Sequence, residues 1–147
     1  MLFTRNFFTK EQTQRILKTI EDAENNTSGE IRVHLETHCR KADPLERAKE
    51  VFAQLNMHKT ALRNGILFYF AVDDKKFAVF GDEGIHQKVT DAFWEEVKNH
   101  MVENFKEEKF TEGLANAIES AGQQLKHFFP REANDTNELT NDISIGN

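Results

Sequence analysis

"RNGILFYFAVDDKKFAVFGDEGIHQKVTDAFW", residues 63–94, is the stretch on which the fold turns. After Asn64-Gly65, residues 66–72 are apolar without a break. A run of strand length that never alternates is buried on both faces, as in the middle of a sheet with helices on either side. Asp73-Asp74-Lys75-Lys76 then reads as a polar hairpin turn, and residues 77–80 return antiparallel. Gly81 and Gly84 flank Asp82 and Glu83 in a joint that His86 closes. Beyond it Asp91 opens a helix on which Phe93, Val97, Met101 and Phe105 recur every four residues.

Upstream, Thr9-Lys10-Glu11-Gln12 has the form of a capping box, with Thr9 accepting from the Gln12 N–H while the Gln12 side chain reaches back. The helix it starts places Ile16, Leu17, Ile20 and Ala23 on one face and ends in Asn25-Asn26-Thr27-Ser28-Gly29. Residues 30–36 alternate, with Ile31, Val33 and Leu35 inward and Arg32, His34 and Glu36 outward, as on a strand with one better-buried face. Asp43-Pro44-Leu45-Glu46 opens the next helix, with Pro at its first position and Glu46 completing a box. Its buried stripe is Leu45, Ala48, Phe52 and Leu55. Thr111 caps a last helix with Leu114, Ile118, Ala121 and Leu125 inward.

Helix, strand, helix, strand, strand, helix, helix, with one strand buried on both faces, predicts an α/β protein: a three-layer α/β/α sandwich around a mixed sheet of about four strands. Three strands are clear. The fourth comes from residues 143–145 or from the joint at residues 83–86. Residues 1–130 read as one domain and residues 131–147 as an acidic, amide-rich tail. Leu139, Ile143 and Ile145 stand among its carboxylates and amides, so it is either a free end or docked on the domain.

A chain of 147 residues suffices for one well-buried core, and 38% hydrophobic residues with only 2 Pro describe a globular protein. The net charge of -6 repels phosphate backbones, which argues against a nucleic-acid partner and suits small cations or basic ligands. No apolar stretch is long enough to span a membrane, and the opening MLFTRNFF is no signal peptide, so the expectation is a cytoplasmic protein with no membrane partner. Cys39, the single cysteine, fits a reducing compartment and excludes disulfide scaffolds and cysteine-rich zinc sites.

The chemistry gathers at one end of the sheet. If the strands at 30–36 and 66–72 are parallel, as a strand–helix–strand crossover dictates, both start at the end where the strand at 77–80 finishes. Glu30, Asn64, Asp82, Glu83 and, about a turn later, Asp91 then converge. Carboxylates and an amide carbonyl make the oxygen shell that calcium prefers, or magnesium with more waters, and their mutual repulsion asks for a cation. The same residues also read as helix furniture. Asp82 or Glu83 would cap a short turn, Asp91 would sit in a first turn, where negative charge suits the dipole, and Glu30 would be solvated. Asp135, Asn137 and Glu138 form a second oxygen-rich set in the tail, without the glycine and glutamate of an EF-hand loop. His34 and His38 lie four residues apart on an extended strand, about 13 Å, too far to share a zinc ion. No nucleophile motif or phosphate-cradling loop appears, so any hydrolysis would be metal-assisted.

The segments "SGEIRVHLE", "RAKEVFAQL", "RNGILFYFA", "FAVFGDEGIHQKVTDAFWEEV" and "EGLANAIESAGQQLKHFFP", in this order over about residues 10–130, resemble the TPM domain family. The tail pattern "NEL" then "DISIG" is similar to one in stand-alone bacterial members. The resemblance implies an α/β/α sandwich on a four-stranded sheet and divalent-cation binding, usually calcium, at its acidic end. By carry-over, Asn64 and Gly65 match the Asn-Gly before the central strand, Asp82 lies in the glycine-rich joint, and Asp91 matches an aspartate opening the next helix. This moves the preference from cap to cation site. Secreted relatives commonly carry Asp-Asn-Gly where this chain has Arg63-Asn64-Gly65, which replaces one carboxylate by a cation. The expected function is a metal-responsive binding or regulatory module with an unknown protein partner. The alternative is the metal-dependent phosphatase that the family's name suggests, which the altered site does not guarantee.

Overall fold

The computed structural model describes residues 7–131 and 143–146. Its elements run α1 Lys10–Glu24, β1 Glu30–Glu36, α2 Pro44–Gln54, β2 Gly65–Ala71, β3 Lys76–Gly81, α3 Glu83–His86, α4 Asp91–Phe105, α5 Phe110–Phe128 and β4 Ser144–Ile145. The four strands form one mixed sheet in the order β3-β2-β1-β4. β1 lies parallel to β2 and to β4, and β3 lies antiparallel to β2. The fourth strand therefore comes from the tail, and the joint at residues 83–86 is a short helix instead.

Two apolar layers flank the sheet. Ile31, Val33 and Leu35 of β1 and Ile66, Phe68 and Phe70 of β2 pack with α1, α4 and α5. On the other face Leu67, Tyr69 and Ala71 pack with Ala48, Val51, Phe52 and Met57. β2 is buried at every position, which is why its sequence never alternates. No helix among the described residues is long and apolar enough to cross a membrane.

Local signals explain most boundaries. The Thr9 box is complete, with Gln12 N to Thr9 Oγ1 at 3.1 Å and Thr9 N to Gln12 Oε1 at 2.8 Å. Asp43 caps α2 by accepting from the Leu45 N–H at 3.0 Å. Glu46 completes no box there; its carboxylate meets Lys49 at 3.3 Å. α5 begins at Phe110 with Lys109 in the cap position, so the expected cap Thr111 is instead a helical residue on the buried face.

β1 departs furthest from expectation. His34 and Glu36, read as outward, are 6% and 1% exposed. Their cover comes from far away in sequence. Arg47 of α2 pairs with both Glu36 oxygens, at 3.0 Å from Nε and with a shorter contact from Nη2. The Tyr69 hydroxyl donates to Glu36 Oε2 at 2.6 Å. β4 lies across the strand's edge, where the Ser144 hydroxyl meets His34 Nδ1 at 2.9 Å.

Candidate functional site

The predicted end of the sheet is where β1 and β2 begin and β3 stops. Glu30 stands opposite Gly65 and Ile66 opposite Gly81. The Glu30 N–H donates to the Asn64 carbonyl at 3.3 Å, and the Asp82 N–H to the Gly65 carbonyl at 2.9 Å. Crossover topology thus places the backbones of Glu30, Asn64 and Asp82 at one end of the sheet, while their side chains take separate partners.

Both glycines of the joint serve close approach, since no glycine has positive φ. A Cβ on Gly81 would lie 2.3 Å from Trp94 Cη2, and one on Gly84 would lie 2.2 Å from the Leu62 carbonyl oxygen and 2.6 Å from that of Arg63. Gly84 N–H donates to the Arg63 carbonyl at 2.9 Å, which locks the 62–65 turn against α3. Arg63 itself has φ 51°, a left-handed conformation that an arginine adopts only when its surroundings hold it there.

Arg63 fills the role that a cation was expected to fill. Its guanidinium grips the Asp82 carboxylate in a two-point fork, Nε to Oδ2 at 2.8 Å and Nη2 to Oδ1 at 2.9 Å. Nη1 stands 3.3 Å from Glu83 Oε1. Asp82 also caps α3, with Oδ1 accepting from the Glu83 N–H at 2.8 Å, so the helix-cap reading holds for this residue as well. The three side chains differ in access: Asp82 is 5% exposed, Arg63 41% and Glu83 65%.

The remaining expected residues divide. Asn64 is buried and its amide donates to Ser28 Oγ at 3.2 Å. Glu30 faces Glu24 of α1, which burial pushes up to about 8, the Ile31 N–H opposing and the Glu30 charge adding to the rise. Glu24 Oε2 accepts from that Ile31 N–H at 2.8 Å. This buried carboxyl pair was missed; its only signal was an acidic residue closing a helix just before a second at the strand start. Asp91 is the first residue of α4 and lines a cleft with Gly81, His86, Trp94, Lys49 and Lys98. Asp135, Asn137 and Glu138 lie outside the described residues. Among the described residues, no three His, Cys, Asp or Glu side chains are grouped to hold a metal ion.

The donor set at the joint is oxygen only, the type that suits a hard divalent cation. As the side chains stand, both Asp82 oxygens are engaged by Arg63, so an ion fits there only in exchange for the guanidinium. His34 and His38, too far apart to share an ion, have separate partners: His34 meets Ser144, and His38 Nδ1 meets Asp74 Oδ1 at 3.0 Å.

The sequence profile of the TPM domain matches residues 3–124. No curated protein sequence matches the chain. The NMR structure of BA42 protein from the psychrophilic bacterium Bizionia argentinensis is 45% identical, with a TM-score of 0.91 over 99% of this chain and 100% of that one. The N-terminal domain of cg2496 protein from Corynebacterium glutamicum shares the fold at 17% identity and a TM-score of 0.65, over 80% of this chain and 74% of that one. The N-terminal domain of a protein from P. gingivalis does so at 15% identity and 0.68, over 84% and 80%.

Proposed function

This chain belongs to the TPM domain family, and from that premise we propose that it is a divalent-cation-binding module, calcium first and magnesium second, in which the ion competes with Arg63 for the carboxylates of Asp82 and Glu83. The observation that carries the reading is the two-point Arg63–Asp82 fork: a nearly buried carboxylate at the strand end already demands a positive partner, and that partner reaches it from a half-exposed side chain. A guanidinium that leaves would strand Asp82 in a low-dielectric place, so its departure requires another cation. The expected chelating partners are Glu83, the carbonyls of the 62–65 turn, the tail carboxylates of Asp135 and Glu138 and the amide oxygen of Asn137. Ion binding would then fix the geometry of the joint, which is the output of a sensing module.

Calcium titration followed by amide chemical shifts tests this. Residues 82–84 are expected to move first, with Asp91 and residues 135–138 reporting how far the shell extends. Arg63→Asn keeps a residue type that tolerates the left-handed turn and removes the competitor, so it is expected to tighten calcium binding about tenfold, the equivalent of about 1.4 kcal/mol. Asp82→Asn is expected to abolish it. Absence of any shift at millimolar calcium in both the natural chain and Arg63→Asn overturns the reading.

A further inference from the structure

β4 covers the outer edge of β1 through two register pairs among the described residues, His34 with Ser144 and Leu35 with Ile145. Its fit is selective in spite of that short ladder. The Ser144 hydroxyl meets His34 Nδ1 at 2.9 Å, and the Gly146 N–H donates to the Leu35 carbonyl at 2.6 Å. A Cβ on Gly146 would lie 2.8 Å from His34 Nε2 and 2.9 Å from Glu36 Cγ, so any other residue here has to push His34 or Glu36 aside. Ile145 between them is 45% exposed and constrains little beyond strand propensity. The cradle beneath is stiff, because Arg47 and Tyr69 fix Glu36 and both are buried.

From this fit we infer that the β1 edge at residues 34–36 is a strand-acceptor site for an extended protein segment reading hydroxyl residue, aliphatic residue, glycine, and that β4 is its replaceable occupant. Main-chain bonds to a sheet edge supply affinity in such recognition, and the side-chain cradle supplies the choice of sequence. The tether gives β4 an effective concentration in the millimolar range, so it keeps out short competitors. A partner strand that runs on beyond the two pairs adds ladder bonds to those β4 makes among the described residues, and displaces it.

The full-length chain carrying Gly146→Val, with Ser144→Pro as a second route to the same opened edge, tests the inference with the synthetic peptide NDISIGN, residues 141–147, as probe. Opening is expected to lower amide-exchange protection at residues 34–36 at least tenfold while the β2 and β3 amides keep their shifts. The peptide then restores the natural shifts saturably, a peptide with valine for its glycine does not, and the natural chain ignores both. An opened edge that ignores NDISIGN, or variants whose tail stays docked, overturns the proposal. A natural chain that dimerises through its tail as concentration rises reassigns the site to a second copy and overturns it too.

Discussion

At the scale of single residues, the joint between β3 and α3 is decided by what is missing from two side chains. Gly84 lets α3 lie directly on the 62–65 turn, and backbone oxygens of Leu62 and Arg63 occupy the space a methyl group would need. Backbone yields less readily than a side-chain tip. Gly84→Ala is therefore expected to destabilise the chain by about 1–3 kcal/mol, the usual cost of overpacking, and to loosen the Arg63–Asp82 fork that the turn presents. Urea denaturation of the two proteins measures the first effect, and an unchanged midpoint would contradict the close approach. Gly81 makes the contrasting case, because its neighbour is the edge of the Trp94 ring, a side chain able to turn aside.

At the scale of elements, β1 and β2 show why some features were legible and others were not. The unbroken run in β2 admits only burial on both faces, so its central place could be read from the residues alone. The place of Glu30, Asn64 and Asp82 at one end of the sheet followed from crossover topology in the same way. The burial of His34 and Glu36 did not, because their cover comes from α2 and from a strand 110 residues away, and alternation in one strand records nothing of either. The Arg63–Asp82 fork escaped notice for a related reason: it depends on the left-handed turn at Arg63, which arginine does not advertise. The α2–β1 contact makes a prediction of its own. Burial pushes the Glu36 carboxyl up, but hydrogen bonds from Arg47 and Tyr69 outweigh that and hold it below its ordinary value. Arg47→Met leaves this buried charge without its main partner and is expected to cost about 3–5 kcal/mol, whereas Arg47→Met combined with Glu36→Leu recovers most of the loss. Thermal unfolding of Arg47→Met, Glu36→Leu and the double variant decides it; a double-variant loss equal to the sum of the two single losses would mean that the pair is not coupled.

At the scale of the whole molecule, the buried ionisable groups make stability depend on pH in opposite senses. Glu24 has its folded value raised from 4.5 to about 8 by burial, with Glu30 beside it and Arg131 nearby. Between those values the folded chain holds a proton that the unfolded chain has released, so this contribution is complete below 4.5 and is lost as pH rises through about 8. His34 runs the other way. Burial lowers it from 6.5 against the pull of Glu36, so below 6.5 the unfolded chain takes up a proton that the folded chain refuses, and stability falls with falling pH. Between pH 6.5 and 8 the His34 contribution is level and Glu24 dominates the buried groups. The exposed His38, raised by its bond to Asp74, adds a surface part in the same sense as Glu24. Glu24→Gln isolates the buried part, because the amide oxygen can still accept the Ile31 N–H. Over this window the natural chain is expected to lose stability relative to Glu24→Gln by up to about 1.4 kcal/mol per pH unit. Parallel stability curves for the two proteins, from denaturant unfolding at each pH, would place the Glu24 carboxyl in water and contradict its raised value.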